Sequence, residues 1–198
     1  MIKAVIFDMY GVVMTDPTGG LAPYMEKLLT KAAFDELYLH WTAAANGELG
    51  SREFFRRLGF EDAAGAERAY LDTIELDTGF VAAAEKLRAA GLKLGLLSND
   101  LGEWSAWLRR KYDLDRLFDA VAVSGDEGVS KPDARIFRII SERLGTRPGQ
   151  CAYIDDRERF LAAARALGMR TILFDGSGRS PGAAACFDDA LEMLRQWR

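Results

Sequence analysis

The fold of this chain is decided by its N-terminal segment, Lys3-Ala-Val-Ile-Phe-Asp8-Met-Tyr-Gly11-Val-Val. Its apolar residues end abruptly in the carboxylate of Asp8, with a glycine three positions later, which predicts a buried β-strand followed by a turn. A strand that buries both of its faces belongs to a parallel sheet covered by helices on each side. Because ligands of such sheets bind beyond the carboxyl ends of the strands, Asp8 is predicted to face a ligand.

The composition is that of a globular protein with a large apolar core. Of the 198 residues, 49% are hydrophobic and the formal net charge is −4, which suits one domain with a small insertion. The sequence contains no Lys/Arg run, no apolar run of membrane-spanning length, no secretory signal and no metal-ligand spacing around its two cysteines. We therefore expect a cytoplasmic protein, a monomer or homodimer, that binds neither nucleic acid nor membranes.

Predicted strands and helices alternate from residue 78 onward. The strands cover residues 92–97, 120–123, 151–154 and 171–174, with helical patterns between and after them. Such alternation indicates βα units joined by right-handed crossovers into one parallel sheet. The predicted fold class is therefore α/β, with a Rossmann-like sheet and helices on both faces. Pro132 is expected in the first turn of the helix that follows the third strand.

The segment between the first strand and residue 78 has a different pattern. Residues 20–39, 51–58 and 62–74 are predicted to be helical, and nothing from Asp16 to Asp77 predicts a strand. We interpret residues 16–77 as an all-helical insertion, which leaves residues 1–15 and 78–198 as the α/β core.

Reactive or phosphate-binding side chains follow four of the strand segments: Asp8, Ser98, Asn99, Lys131, Asp155 and Asp156. Because the strands are parallel, these side chains should meet at one edge of the sheet. Crowded carboxylates repel one another, and Mg²⁺, which prefers carboxylate oxygens, water and phosphate, would relieve that repulsion. A carboxylate at such a site can act as a nucleophile, while lysine and hydroxyl groups hold the transferred group. The set suits phosphoryl transfer.

The constellation resembles the haloacid dehalogenase superfamily. The four motifs stand in the family's order, as Asp8-Met-Tyr-Gly11, Leu97-Ser98-Asn99, Gly128-Val-Ser-Lys131-Pro132 and Ile154-Asp155-Asp156. The resemblance implies the strand order fifth-fourth-first-second-third and identifies the insertion as a small helical cap of the C1 type. It also implies that Asp8, Asp155 and the Tyr10 carbonyl bind Mg²⁺, with Asp156 as a direct or water-mediated ligand. Ser98, Asn99 and Lys131 would then hold the transferred group.

One position departs from the pattern of family phosphatases, which carry a second Asp, the general acid/base, where this chain has Tyr10. The Asp-x-Tyr-Gly form looks like the metal-independent 2-haloacid dehalogenases of the same superfamily, whereas the acidic pair looks like the phosphatases. The favoured interpretation is a Mg²⁺-dependent phosphatase that acts on a small phosphorylated metabolite through an aspartyl-phosphate on Asp8, with Tyr10 and Lys131 also in the catalytic set. A dehalogenase-type hydrolase and a non-catalytic phospho-ligand binding protein remain alternatives.

Residues of the helical cap are expected to select the substrate, because such caps close over the site. The candidates are Tyr24, His40, Trp41 and Asn46. Trp104 and Trp107 are interpreted chiefly as packing residues on the helix after Ser98. Asp100 is interpreted as the N-cap of that helix.

Overall fold

The computed structural model describes residues 1–197, which contain the predicted alternation of strands and helices. The strands are β1 (Ala4–Phe7), β2 (Met14–Thr15), β3 (Glu75–Leu76), β4 (Lys93–Ser98), β5 (Ala120–Val123), β6 (Cys151–Asp155) and β7 (Arg170–Leu173). The helices before β4 are α1 (Leu21–Glu26), α2 (Lys31–Asp35), α3 (Leu37–Ala45), α4 (Ser51–Arg57), α5 (Ala63–Asp72) and α6 (Phe80–Ala89). Those after it are α7 (Gly102–Lys111), α8 (Ser124–Glu127), α9 (Ala134–Arg143), α10 (Glu158–Ala166) and α11 (Phe187–Arg195), with a short 3₁₀ helix at Pro148–Gln150.

The central sheet has five parallel strands in the order β5-β4-β1-β6-β7. This is the predicted order, fifth-fourth-first-second-third, read from the other edge. Strand β1 lies in the middle, with Phe7 opposite Leu96 of β4 and Ile154 of β6. The carboxyl ends of β4, β1 and β6 therefore lie side by side.

Strand β1 is buried on both faces, as its apolar run predicts. Val5 and Phe7 pack into one apolar cluster and Ala4 and Ile6 into another, and all four are fully buried. This split follows the two-residue period of a strand. The first cluster includes residues of α6, α7 and α11, and the second includes residues of α9 and α10. The sheet therefore has helices on both faces, which is the predicted α/β architecture.

Helices α1 to α5 form the insertion, and the chain enters and leaves it through a short antiparallel pair of strands. Met14 of β2 pairs with Leu76 of β3, and Thr15 pairs with Glu75. The prediction that residues 16–77 contain no strand is therefore wrong at Glu75–Leu76, because a two-residue strand is too short to show a period. The insertion also contributes residues such as Met25 and Phe54 to the same apolar cluster as Phe7. The assignment of 16–77 as a separate cap domain stays a prediction.

Two predicted helices differ in their bounds. The single helix expected over residues 20–39 is broken into α1, α2 and the start of α3, with Thr30 capping α2 through a bond from Ala33 N–H to its Oγ1 (3.3 Å). Pro132 lies before α9 rather than in its first turn, because Asp133 is the N-cap and accepts a bond from Arg135 N–H (2.8 Å). Within residues 1–197, no helix has the length and apolar character needed to cross a membrane.

Candidate active site

Three carboxylates converge where β1 and β6 end. Asp8 follows β1 directly, and its N–H donates to Ile154 O of β6 (2.9 Å). Asp155 is the last residue of β6, and Asp156 follows it. Oxygen atoms of the three side chains lie within 4.8 Å of one another. The sheet thus brings together, from positions far apart in the sequence, the acidic residues that the motifs predicted.

Lys131 is buried between two of these acids. Its Nζ donates to Asp8 Oδ1 (2.7 Å), to Asp155 Oδ2 (3.0 Å) and to the hydroxyl of Tyr153 (2.9 Å), and the residue is 3% exposed. Burial alone would lower the pKa of Lys131, but the two carboxylates raise it above its ordinary value. The ammonium is therefore a fixed positive charge beside Asp8.

Asn99 fixes the lysine in place through its backbone. Its Nδ2 donates to Lys131 O (2.9 Å), and its Oδ1 accepts from Lys131 N–H (2.7 Å). Asn99 was predicted to hold the transferred group. The structure places it on the wall of the cavity above Asp8, with both ends of its amide bonded to Lys131, so its observed contacts are those of a positioning residue.

One oxygen of Asp8 is held and the other is open. Asp8 Oδ1 accepts from Met9 N–H (2.7 Å) and from Lys131, while nothing in residues 1–197 donates to Oδ2. Burial raises the pKa of Asp8 to about 7; Asp155 and Asp156 add to this and Lys131 opposes it. Burial and the Asp155 charge raise the pKa of Asp156 to about 6. Burial is thus the main reason that both acids are harder to ionise, and the neighbouring carboxylates add to it.

The donor set fits a magnesium ion. It consists of carboxylate oxygens, the ligand type that Mg²⁺ prefers. Gly11, with φ +80°, makes room for one of these ligands, because a Cβ at Gly11 would lie 2.7 Å from Asp156 Oδ2. Lys131 bonds to Asp8 Oδ1 and Asp155 Oδ2, which leaves Asp8 Oδ2 and the carboxylate of Asp156, 33% exposed, to face a cation.

Ser98 presents a buried hydroxyl at the end of β4. Its Oγ is fully buried and has no hydrogen-bond partner within residues 1–197. Leaving a buried hydroxyl unpaired costs free energy, and such groups are rare in folded proteins. A bound anion or a water molecule at the strand end would remove that cost, in keeping with the predicted role in holding the transferred group.

The side chain of Tyr10 is directed to a buried acid. Its hydroxyl donates to Asp100 Oδ2 (3.1 Å), and Leu101 N–H donates to Asp100 Oδ1 (2.9 Å). Burial raises the pKa of Asp100 well above its ordinary range. The interpretation of Asp100 as the N-cap of α7 is wrong, because Leu101 occupies that position. Because Tyr10 and Asp100 are 90 positions apart, no local pattern in the sequence predicts that they pair.

Tyr153 is a second residue that the sequence reasoning missed. Its hydroxyl contacts both Lys131 Nζ and Asp155 Oδ2. The available signal was the strand period, since Tyr153 lies two residues before Asp155 and therefore on the same face of β6.

A cavity of about 550 Å³ lies over these groups. Its sheet side includes Asp8, Lys131 and Asp156, and its other side is formed by residues of the insertion and of α7. Of the four predicted selectors, only Trp41 lines the cavity; Tyr24, His40 and Asn46 do not. Trp104 is 1% exposed, as its packing role predicts, but it also lines the cavity, whereas Trp107 does not.

The fold and this site define a hydrolase of the haloacid dehalogenase superfamily, and the chain belongs to that family. The family model of haloacid dehalogenase-like hydrolases matches residues 2–168. The prediction of the family and of an α/β hydrolase is thereby confirmed.

Three known proteins show the range of its similarity. Phosphatase MT3486 of Mycobacterium tuberculosis (strain CDC 1551 / Oshkosh) is 31% identical over 196 residues, covering 90% of each chain. (S)-2-haloacid dehalogenase 4A of Burkholderia cepacia is 30% identical over 97 residues, covering 49% of this chain and 42% of its own. A family enzyme of Bacteroides thetaiotaomicron, crystallised with magnesium and inorganic phosphate, has the same fold (TM-score 0.77, 19% identity, covering 91% of this chain and 98% of that one).

Proposed function

We propose that the protein is a Mg²⁺-dependent phosphatase that acts on a small phosphorylated molecule through an aspartyl-phosphate on Asp8. The observation that carries the proposal is the acidic cluster of Asp8, Asp155 and Asp156, with oxygens within 4.8 Å of one another and one lysine between them. A haloacid displacement needs no such cluster. The similarity to phosphatase MT3486 along 90% of both chains supports the same assignment.

The ion would be held by Asp8, Asp155, Asp156 and the Tyr10 carbonyl. Bound there, magnesium would supply positive charge that offsets the negative charge of the phosphoryl oxygens. The observation on this chain that favours a divalent partner is the convergence of three carboxylates on one ammonium group.

The chain's own groups provide nucleophile and charge stabilisation. The Asp8 carboxylate attacks phosphorus, a bond from its oxygen to phosphorus forms, and the bond from phosphorus to the leaving oxygen breaks. Lys131 offsets the charge on Asp8 and on the transferring group, and the Ser98 hydroxyl donates to a phosphoryl oxygen. Water then attacks the aspartyl-phosphate, which releases inorganic phosphate and restores the carboxylate.

The step that lacks an obvious catalyst is protonation of the leaving oxygen. Residue 10 is a tyrosine, and its hydroxyl is already bonded to Asp100 (3.1 Å). Burial raises the pKa of Tyr10 well above its ordinary value, which makes it a weak acid at neutral pH. The proposed substrates are therefore esters whose leaving group departs without a strong acid.

The second candidate is a metal-independent 2-haloacid dehalogenase, favoured by Tyr10 and by the partial similarity to the Burkholderia cepacia enzyme. The deciding experiment measures phosphate release from 4-nitrophenyl phosphate with Mg²⁺ and with EDTA, and chloride release from 2-chloropropionate. Phosphate release abolished by EDTA supports the phosphatase. Chloride release that EDTA leaves intact would replace it with the dehalogenase. No turnover with either substrate, together with tight metal-dependent phosphate binding, would favour a non-catalytic binding protein.

A further inference from the structure

Much of the cavity that contains the acids is lined by aromatic rings. We call Tyr10, Tyr38, Trp41, Tyr70 and Trp104 the aromatic wall; all five line the cavity. The ring of Trp104 lies 5.8 Å from that of Trp41 and 5.3 Å from that of Tyr70. Trp41, Trp104 and Tyr70 thus form a connected group of rings in the cavity that Asp8 and Lys131 also line.

The polar atoms of this wall are largely bonded to other protein groups. The Tyr10 hydroxyl donates to Asp100 (3.1 Å), and Trp104 Nε1 donates to Glu67 Oε1 (2.7 Å). The Tyr70 hydroxyl donates to Asp16 Oδ2 (3.3 Å). Because these donors already have acceptors, the three residues offer a ligand chiefly the hydrocarbon of their rings.

The remaining lining contributed by the insertion is mostly aliphatic, whereas Asn99, Arg157 and Arg159 are polar residues that also line the cavity. Leu21, Ala22, Pro23 and Leu37 add aliphatic surface. Asp16 also lines the cavity, but its carboxylate accepts from the Thr18 N–H and hydroxyl as well as from Tyr70. A sugar packed against these rings and aliphatic side chains would leave the hydroxyl groups on that face without partners, and an unpaired buried polar group costs about 1–3 kcal/mol.

The absence of an acid at residue 10 restricts which leaving groups the site can release. An alkyl alkoxide leaves phosphorus slowly unless it is protonated, whereas a phenolate, whose conjugate acid has a pKa near 10, leaves without that help. Aromatic leaving groups also pack well against aromatic rings. Tyr10 therefore suits aryl and acyl phosphates alike, and the aromatic wall favours the aryl esters of these two classes.

We infer that the substrate is an aryl phosphate monoester, with its ring against the aromatic wall and its phosphate at Asp8. This inference rests on the proposed phosphatase function and specifies its leaving group. Asp8 oxygen bonds to phosphorus and the phenolate leaves with the electron pair of the broken bond. Water then adds its oxygen to phosphorus, the bond from phosphorus to the Asp8 oxygen breaks, and a proton released by that water balances the phenolate, so that the overall products are the phenol and inorganic phosphate.

The test compares three substrates in the presence of Mg²⁺: 1-naphthyl phosphate, acetyl phosphate and glucose 1-phosphate. We expect kcat/KM for the naphthyl ester to exceed the other two by at least about tenfold, the effect of one well-packed aromatic contact. Trp41→Ala should lower the ratio of naphthyl to acetyl kcat/KM by about tenfold or more. Trp107→Ala is the matched control, since Trp107 contacts Arg68 and Lys111 outside the cavity.

A binding measurement tests the contribution of the aromatic wall to ligand affinity independently of catalysis. Titration of metal-free protein with 1-naphthol, the product, should show binding that Tyr38→Ala weakens and Leu39→Ala does not. The two residues are neighbours with similar exposure, 66% and 69%, but only Tyr38 lines the cavity.

The outcomes distinguish the two proposals. Hydrolysis of acetyl phosphate or glucose 1-phosphate with kcat/KM equal to or above that for the naphthyl ester, without naphthol binding, overturns the aryl assignment and leaves the phosphatase. No phosphate release from any of the three substrates overturns the phosphatase, and the aryl assignment falls with it.

Discussion

The cavity has two sides that are built in different ways. On the sheet side, Asp8 and Asp155 stand at strand ends and Lys131 lies in the loop between α8 and α9. Backbone groups hold two of them in place, since Asp8 N–H donates to Ile154 O and the Asn99 side chain bonds to the backbone of Lys131. On the other side, Tyr38, Trp41 and Tyr70 of the aromatic wall belong to helices of the insertion, and Tyr38 is 66% exposed. Parallel strands dictate where the charges meet, whereas the rings depend on the particular sequence of the insertion. The sheet side thus carries the groups proposed to perform the chemistry, and the ring side is proposed to receive the leaving group.

The two sides also differ in energetic character. Lys131, Asp8 and Asp155 are buried ions whose stability depends on one another, because a buried charge without its partner is costly. The aromatic rings are uncharged, so their burial does not require a partner of opposite charge. Changes on the sheet side should therefore affect catalysis and folding together, while changes on the ring side should affect selectivity.

The largest effect is expected from Asp8→Asn, which removes the proposed nucleophile. We expect kcat for 4-nitrophenyl phosphate to fall by about 10⁴-fold or more, as for other nucleophiles. Asp188→Asn, at a carboxylate 85% exposed, is the control and should keep wild-type kcat. Substantial turnover by Asp8→Asn would remove Asp8 from the mechanism.

Lys131→Met should reduce both activity and stability. Loss of a fixed positive charge at the reacting group lowers kcat by about 10²–10³-fold, and two buried carboxylates left unpaired lower the free energy of unfolding by about 3–5 kcal/mol. Kinetics and urea unfolding measure the two effects. Lys86→Met, which breaks the exposed ion pair with Asp188, should cost less than about 1 kcal/mol. Equal losses in both variants would contradict a buried charge network.

Tyr10→Asp tests whether the missing acid limits the rate. A carboxylic acid at residue 10 should raise kcat for alkyl phosphates by about 10²-fold, a typical contribution of general acid catalysis, and should change aryl phosphates much less. Tyr10→Phe, which removes only the hydroxyl bonded to Asp100, is the control. An unchanged alkyl rate in Tyr10→Asp would mean that Tyr10 is not the limitation.

Magnesium should stabilise the protein more strongly as the pH rises. Asp8 and Asp156 have folded pKa values of about 7 and 6, above the unfolded value of about 3.9. The folded state therefore binds more protons than the unfolded state in this window, so the metal-free protein loses stability as the pH rises from about 4 to 7. Metal binding requires the deprotonated acids, so the increase in Tm caused by Mg²⁺ should grow over the same range.

Thermal melts at pH 5 and pH 8 measure this effect. At a concentration of about 100 Kd, magnesium adds about 2.7 kcal/mol, which corresponds to roughly 5–10 °C in Tm for a chain of this size. Asp156→Asn should lose most of the increase, and Asp188→Asn should keep it. An increase of the same size at both pH values would contradict a site built from these carboxylates.

The smallest effect is expected from Ser98→Ala. Because Ser98 Oγ has no partner within the described residues, its removal should change the free energy of unfolding by less than about 1 kcal/mol. Inhibition by inorganic phosphate should weaken about tenfold, the lower end for a hydrogen bond to a charged group. Ser105→Ala is the matched control, since Ser105 Oγ is also buried and unpaired but lies on α7. Equal phosphate inhibition in both variants would remove Ser98 from the site.

The sequence predicted the sheet side better than the ring side, for a physical reason. Two features are visible locally in the sequence: the apolar run of β1 and the polar residues that follow four strands. In a parallel sheet these polar side chains come close together at one edge. The predicted strand order is confirmed. The pairing of Tyr10 with Asp100 and the role of Tyr153 depend on contacts between distant segments. The metal and phosphate-binding roles of the predicted residues stay predictions.

The insertion was harder to predict because its helices are short and irregular. Its helical character followed from the apolar period, but Trp41 alone among the four expected selectors lines the cavity. Tyr38, one turn earlier on α3, and Tyr70 on α5 became visible only when the helices were packed together. Which ring faces a cavity is decided by tertiary packing, and a single sequence does not encode it locally.

The position of Trp104 restricts how a ligand reaches Asp8. This residue belongs to α7, beside the sheet, yet its ring contacts Phe54 (6.0 Å) as well as Trp41 and Tyr70 in the insertion. Lifting the whole insertion away would separate all of these ring pairs at once, at a cost of about 0.5–1.5 kcal/mol for each pair. A rotation of the single exposed side chain of Tyr38 disturbs none of them. Widening the cavity by movement of Tyr38 therefore costs less than moving the insertion as a whole.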